Sequence, residues 1–254
     1  MFGEERHMQI MEILRQSKTA SVEYLSRTLF ASEATIRRDL GKLEEQGFLK
    51  RRFGGAVLLE GFDQEIPFLY RETENKPLKE SIAAKACEFV SDNDSVILDS
   101  SSTVLQMVKF LKNRSRLTII TNGLKTTQLL SESGRSKVYC TGGILRESSL
   151  SFVGSRAEKF VEDFQVKTLF FSCRGVSKEG HLTDGNESEA ELRRVMMKHA
   201  TTRILLCDST KFDQTALMRI CDFDAIDYII TDKVLDDDWC KLLAGYNVKV
   251  VYGE

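Results

Sequence analysis

The sequence predicts an α/β protein in two parts: a small helical unit carrying a basic hairpin, then a larger domain with a mainly parallel sheet. Three observations predict this. Apolar residues over the first ~56 positions recur at helical spacing. Both prolines of the chain, Pro67 and Pro77, fall in one short stretch after them. Beyond that stretch, short apolar runs alternate with helical segments, the pattern of strands joined by crossover helices. The expected division is 1–57 for the small unit, 58–77 for a connector and 78–254 for the large domain.

Each element has its own signal. Ile10, Ile13 and Leu14 fit one face of a first helix. Val22, Leu25 and Leu29 fit a second, with Ser21 as its N-cap. Ser32 is the next N-cap, and Ile36, Leu40 and Leu43 then fall at i, i+4 and i+7, the buried stripe of a third helix that Gly47 ends. "FLKRR" reads as a strand, Gly54-Gly55 as a turn and "AVLL" as the returning strand. A helix over 78–90 leads into the buried-strand run "SVILDS". "LTIIT", "KVYCTGG", "KTLFFS", "RILLCD", "DYIITD" and "VKVVYG" follow, separated by helical stretches.

Composition narrows the function classes. Lys and Arg number 36 against 38 Asp and Glu, a formal charge of −2, so any basic surface must be local. No apolar run approaches the ~20 residues of a membrane helix. The start, "MFGEERHMQI", has acids and no apolar core of signal-peptide length, which sets the expectation of a cytoplasmic protein. Six scattered cysteines form no C-x-x-C pair and read as reduced, mostly buried thiols. His7, His181 and His199 have no metal-ligand spacing, so neither a metal nor a cofactor is expected.

The third helix carries the chemistry of the first unit. On a wheel of ~100° per residue, Ile36, Leu40 and Leu43 point one way. Ala34, Arg38 and Lys42 point roughly opposite, with Thr35 and Arg37 on the flanks. Small residues at the start let a helix approach bases, Arg can be bidentate to guanine, and further cations meet phosphates. Helix, turn, helix and basic hairpin together make a winged helix-turn-helix. The expected DNA-contacting set is Ser32, Ala34, Thr35, Arg37, Arg38 and Lys42 on the helix, with Arg51 and Arg52 on the hairpin. A solvated face with ordinary surface cations is the plainer account of "RR" alone. Three short helices, a capped third helix and a basic hairpin within ~56 residues favour DNA.

These residues also carry a resemblance. "TIRRDLGKLEEQGFLKRRFGGA", preceded by "ERHMQIMEIL" and "SVEYLS", resembles the N-terminal domain of the DeoR family of bacterial transcriptional regulators. The likeness continues through "EIPFLYRETENKPLKESIAAKA", "VILDSSST", "LTIITNGLK", "TGGILRESSLSFVG" and "ILLCDSTKF", in the family's order over nearly the whole chain. It implies a winged helix-turn-helix on operator DNA and a C-terminal sensor similar in fold to ribose-phosphate isomerases and CoA transferases. It also implies a phosphorylated sugar or related metabolite as effector. Two departures stand out. Phe30-Ala31-Ser32 replaces the family's Gly-Val-Ser-like turn, and Phe53 replaces the histidine common in its wing.

Ligands of open α/β sheets bind at the carboxyl ends of strands. The first such strand ends in "DSSST", where hydroxyls and amides precede a helix. By resemblance Ser101, Ser102 and Thr103 would cradle a phosphate; capping of the helix is the bland alternative. Serine stands at 101 where the family more often has glycine. Asn122, in "TNG", and Gly142 and Gly143, in "TGG", follow the next strands. Asp99 is expected to accept sugar hydroxyls, and Lys211, in "DSTKF", to meet phosphate as a point charge. Glu189 lies in a stretch placed near the pocket in the family, although lone acids are more often caps or surface charges. The leading expectation is an effector-responsive repressor of a sugar-utilisation operon acting as a dimer or larger homo-oligomer. The alternative is a sugar-phosphate isomerase-like enzyme fused to a DNA-binding domain; a recognition helix is the feature an isomerase does not need.

Overall fold

Helical apolar spacing shapes the first unit, Met1–Ile66. The computed structural model describes residues 3–45, 48–58, 66–132 and 134–253. In this unit α1 (Gly3–Ser17) is followed by β1 (Thr19–Ser21), α2 (Val22–Thr28), α3 (Glu33–Glu45), β2 (Leu49–Arg52) and β3 (Gly55–Leu58). Ile10, Leu14, Leu25, Ile36 and Leu40 meet at its centre, all fully or almost fully buried. The caps are as the sequence indicates: Ser21 Oγ accepts the Tyr24 N–H at 3.0 Å and Ser32 Oγ the Thr35 N–H at 3.2 Å. The hairpin β2–β3 forms, and β1 adds to it as a third antiparallel strand in the order β1-β3-β2. A Cβ on Gly55 would collide with the Ala20 carbonyl, so this close strand approach requires glycine. The stop assigned to Gly47 lies outside the described residues.

The second unit, Pro67–Glu254, begins inside the expected connector. Of that connector, 59–65 lie outside the described residues. The rest is helical: α4 (Phe68–Thr73) starts after Pro67, and α5 (Lys76–Ala86) takes Pro77 into its first turn, where a missing N–H costs nothing. Phe68 is 2% exposed and packs with Ile82 and Phe170, so this segment is part of the second core instead of a tether.

Then follow β4 (Ser95–Leu98), α6 (Ser102–Leu105), α7 (Val108–Leu111), β5 (Thr118–Thr121), α8 (Leu124–Ser131) and β6 (Lys137–Cys140). A hairpin of β7 (Ile144–Arg146) and β8 (Ser151–Val153) precedes α9 (Ser155–Glu162) and β9 (Val166–Phe171). Next are β10 (Gly175–Val176), β11 (His181–Asp184), α10 (Glu187–Lys198), β12 (Ala200–Leu206) and β13 (Met218–Asp222). Last are β14 (Tyr228–Thr231), α11 (Asp237–Gly245) and β15 (Lys249–Tyr252).

The seven strand runs read from the sequence form one parallel seven-stranded sheet in the order β15-β14-β12-β9-β4-β5-β6. Neighbours along a strand point to opposite faces. Ile97, Phe171, Leu205 and Ile229 enter one core; Leu98, Phe170, Ile204 and Ile230 enter the other. Burial on both faces is why these runs are continuously apolar. The hairpin β7–β8 and the small antiparallel sheet β10-β11-β13 were not signalled, because their short strands lack the continuous apolar run that marks the strands of the parallel sheet.

Candidate functional site

Helix α3 presents the expected face. Ile36, Leu40 and Leu43 are buried, while Ser32, Ala34, Arg37, Arg38 and Lys42 are exposed and Thr35 is half-buried. Arg37 pairs with Glu33 one turn earlier at 3.0 Å. On the hairpin, Arg51 and Arg52 are exposed. The Arg51 N–H donates to Glu44 Oε1 at 2.8 Å and its guanidinium lies 3.9 Å from Glu44 Oε2, so this cation is partly spoken for by α3. Phe30 takes the strained course expected of a non-glycine residue in that turn, with φ +50°.

Asp39, which the sequence reading passed over, is 4% exposed on the inner stripe of α3. Arg6 Nε and Nη2 donate to its two oxygens at 2.5 and 3.2 Å, and His7 Nε2 lies 3.0 Å from Oδ1. Burial pushes its carboxyl up, but the hydrogen bonds of Arg6 and His7 outweigh that and hold it below the usual aspartate range. The pair ties α1 to α3 and sets the roll of the cationic helix.

In the second unit the expected effector residues follow the carboxyl ends of β4, β5, β6 and β12. Ser101 Oγ caps α6 by accepting the Val104 N–H at 3.2 Å, so its hydroxyl is engaged as the bland alternative had it. Ser102 Oγ accepts from Lys79 Nζ at 3.2 Å. Among the described residues, Thr103 Oγ1 and Asn122 Oδ1 are buried without a hydrogen-bond partner, while Asn122 Nδ2 donates to Ser100 Oγ and the Phe152 carbonyl. Lys211 Nζ donates to Ser172 Oγ at 2.9 Å and lies 3.7 Å from Asp208 Oδ2. Burial lowers the Lys211 ammonium pKa, but Asp208 reverses this and raises it above the ordinary value.

One expectation needs correction in detail. Asp99 is not an open acceptor for sugar hydroxyls. Its oxygens take the Ser101 and Ser172 N–H groups at 2.9 and 3.1 Å and Arg193 Nε at 2.9 Å. Gly143 (φ +109°) is glycine because β8 passes beside it: a Cβ would come to 2.6 Å from the Val153 carbonyl. Gly142 faces open space and has φ +62°.

Three residues were missed: Lys79, Arg193 and Ser172. Arg193, 4% exposed, reaches Asp99, Asp184 Oδ2 at 2.7 Å and Glu189 Oε2 at 3.5 Å. Glu189 also accepts from Ser151 Oγ at 2.7 Å. Burial would raise the Glu189 carboxyl, but Arg193 and then Arg71 hold it down at about 2. Lys79, 3% exposed, donates to the carbonyls of Arg71 and of Glu74, the latter at 2.7 Å. Burial, and after it the charge of Lys211, push its ammonium down to about 8. A signal for both cations was present. Lys79 stands on one stripe with Ile82, Ala83 and Ala86, and Arg193 on one with Ala190, Met196 and Met197. A charge on an apolar helix stripe is buried by its neighbours and has to be paired.

Among the described residues, no group of His, Cys, Asp and Glu is arranged to hold a metal ion, and no helix is long and apolar enough to cross a membrane. A cavity of about 260 Å³, lined by Glu72, Lys76, Glu80, Gln106, Lys109 and Lys112 among others, contains none of the expected effector residues.

A capped cationic helix beside a basic hairpin, joined in sequence to a parallel α/β unit, defines a two-part DNA-binding regulator. Comparison with known proteins gives the family. The DeoR-like helix-turn-helix domain matches residues 6–61 and the DeoR C terminal sensor domain matches 74–233. The HTH-type transcriptional regulator YulB of Bacillus subtilis (strain 168), itself uncharacterized, is 38% identical over 250 residues, 98% of this chain and 96% of that protein. The HTH-type transcriptional repressor GlcR of the same organism is 30% identical over 254 residues, 100% of this chain and 98% of that protein. Among solved structures, ribose 5-phosphate isomerase A of Methanocaldococcus jannaschii aligns at a TM-score of 0.42 and 16% identity over 55% of each chain, a likeness too loose to argue from. The chain belongs to the DeoR family and is a DNA-binding transcriptional regulator, not an enzyme.

Proposed function

We propose that this regulator represses a sugar-utilisation operon and is released from its operator by a phosphorylated sugar. The observation that carries the effector class is the pair of lysines at the "DSSST" loop. Lys79 donates to Ser102 and Lys211 to Ser172, and burial with the charge of Lys211 brings the Lys79 ammonium pKa down to about 8. The charge of two ammonium groups beside buried hydroxyls suits a dianionic phosphate; Lys79 acts through its charge alone, since its three N–H groups already go to Arg71, Glu74 and Ser102, and Lys211 is the direct contact. The carboxylates Asp99, Asp184 and Glu189 are all engaged by Arg193 and do not oppose an anion as free charges. Repression is the commoner role among the named relatives, GlcR included, while an L-fucose operon activator of Haemophilus influenzae is 32% identical over 95% of this chain.

On DNA, Arg38 is the base reader, with Ser32, Ala34 and Thr35 at the helix entry and Arg37, Lys42, Arg51 and Arg52 on the phosphates. Symmetric half-sites about one helical turn apart (~34 Å) require at least a homodimer. The test is a thermal-shift screen of the full chain against a panel of sugar phosphates and their unphosphorylated sugars. A ligand at ~100 times its dissociation constant adds about 2.7 kcal/mol. Stabilisation by a sugar phosphate that also lowers operator affinity is expected. Stabilisation by free sugars alone would remove the phosphate from the reading.

A further inference from the structure

Among the described phenylalanines only Phe30 and Phe53 are exposed, and both belong to the unit that carries the cationic helix and hairpin. Phe53 is the extreme case at 111% exposure: no part of its ring packs on its own protein. It occupies the β2–β3 turn beside Gly54, whose φ is +78°. The support under this ring is firm. The Gly54 carbonyl accepts the Val22 N–H at 2.7 Å, and β3 is paired on both sides, by β1 and by β2. A fixed hairpin thus holds a bare aromatic ring out into solvent, where it contributes nothing to folding.

The flanks say what it meets. Lys50, Arg51 and Arg52 precede it, all exposed, and no acid occurs between Phe48 and Leu58. An apolar tip at the end of a run of three cations fits a partner that offers negative charge outside and flat apolar rings within. We propose that Phe53 is a wedge that enters the minor groove of duplex DNA and unstacks one base step, while the hairpin cations hold the phosphates on either side. Flexible pyrimidine–purine steps open most readily, so the ring confers preference for such a step without a hydrogen bond to any base. This rests on the reading of the hairpin as a DNA-contacting wing.

The experiment uses full-length protein and a duplex that the wild type selects from a randomised pool, with 2-aminopurine placed at successive positions outside the site of α3. Wild type is expected to raise the 2-aminopurine fluorescence at one step. Phe53→Ala should lose that rise and bind about tenfold more weakly, the scale of one aromatic–base contact. Its dependence of affinity on salt should be unchanged, because no cation is removed. Phe53→Trp should keep both signals. Since the ring has no partner in the fold, thermal unfolding of Phe53→Ala should match wild type. Arg52→Ala is run beside it. If Arg52→Ala flattens the salt slope while Phe53→Ala is silent, the hairpin is a wing and the wedge is wrong. If both are silent, the wing reading itself fails. If Phe53→Ala leaves DNA binding intact but alters sedimentation, the ring is a contact between copies of the chain and the proposal is overturned.

Discussion

Single side chains decide most in the two charged clusters and in one turn. Arg193 stands against three carboxylates in the interior. Arg193→Ala would leave Asp99 buried without its cation and take one cation each from Glu189 and the half-buried Asp184, and breaking such a group typically costs ~3–5 kcal/mol; chemical denaturation of the full chain measures it. Lys79 makes a pH prediction. Its folded pKa, about 8, lies below the ordinary value of 10.5, so between those two values the unfolded chain binds more protons than the folded one. Stability from this group therefore rises with pH across ~8 to 10.5, by an amount on the order of 3 kcal/mol. Unfolding free energies at pH 7.5, 9 and 10 should show that rise in wild type and a flatter profile in Lys79→Met. Phe30 bears a left-handed backbone, which costs an ordinary residue ~1–2 kcal/mol. Phe30→Gly removes that strain, offset in part by the greater freedom of glycine in the unfolded chain, and should raise stability by about 0.5–1 kcal/mol. A lower melting temperature in that variant would show that the turn is not strained.

At the scale of elements, α3 is placed by the bond from its inner face to α1. Asp39→Asn keeps the shape and removes the charge that Arg6 and His7 face. Because the folded carboxyl is held below its ordinary range, the stability it contributes is present above ~pH 4 and lost as the pH falls through the folded value. Acid unfolding of wild type and Asp39→Asn should therefore differ most above that window and converge below it. The same variant should weaken operator binding without touching a DNA-facing residue, since it loosens the roll of α3. Arg38→Ala separates the roles on the outer face. It should cost roughly 1–3 kcal/mol on the selected operator and relax preference at one base step. Equal weakening on every sequence would move Arg38 to the phosphate contacts. Arg52 is the cleaner phosphate probe of the hairpin, because Arg51 already engages Glu44.

At the scale of the molecule, regulation requires the effector to prefer one of two arrangements of the chain. About 100-fold loss of operator affinity corresponds to about 2.7 kcal/mol of coupling. Lys211→Ala should weaken the response to a sugar phosphate and leave operator affinity without effector near wild type. The measurement is operator affinity with and without effector in both proteins. A variant that responds at the same effector concentration would place Lys211 outside the effector contacts. One that loses operator binding with no effector present would make its bond to Ser172 a structural one.

Periodicity alone determined the three helices of the first unit, the exposed face of α3 and all seven strands of the parallel sheet, because those elements are long or apolar enough for local spacing to show which side is buried. Hydroxyl-rich strand ends marked Ser101, Ser102, Thr103 and Asn122 for the same local reason. Tertiary structure alone decided what the buried charges meet. Asp39 meets residues 32 and 33 positions away, Arg193 meets Asp99 across 94, and Lys79 meets Ser102 across 23. No local period reports such distances. It also turned Asp99 from an open acceptor into a strut, and the later half of the expected connector into a helical part of the second core. A sequence shows that a charged residue stands on an apolar stripe; only the fold brings up the opposite charges or the carbonyl and hydroxyl oxygens that let it be buried.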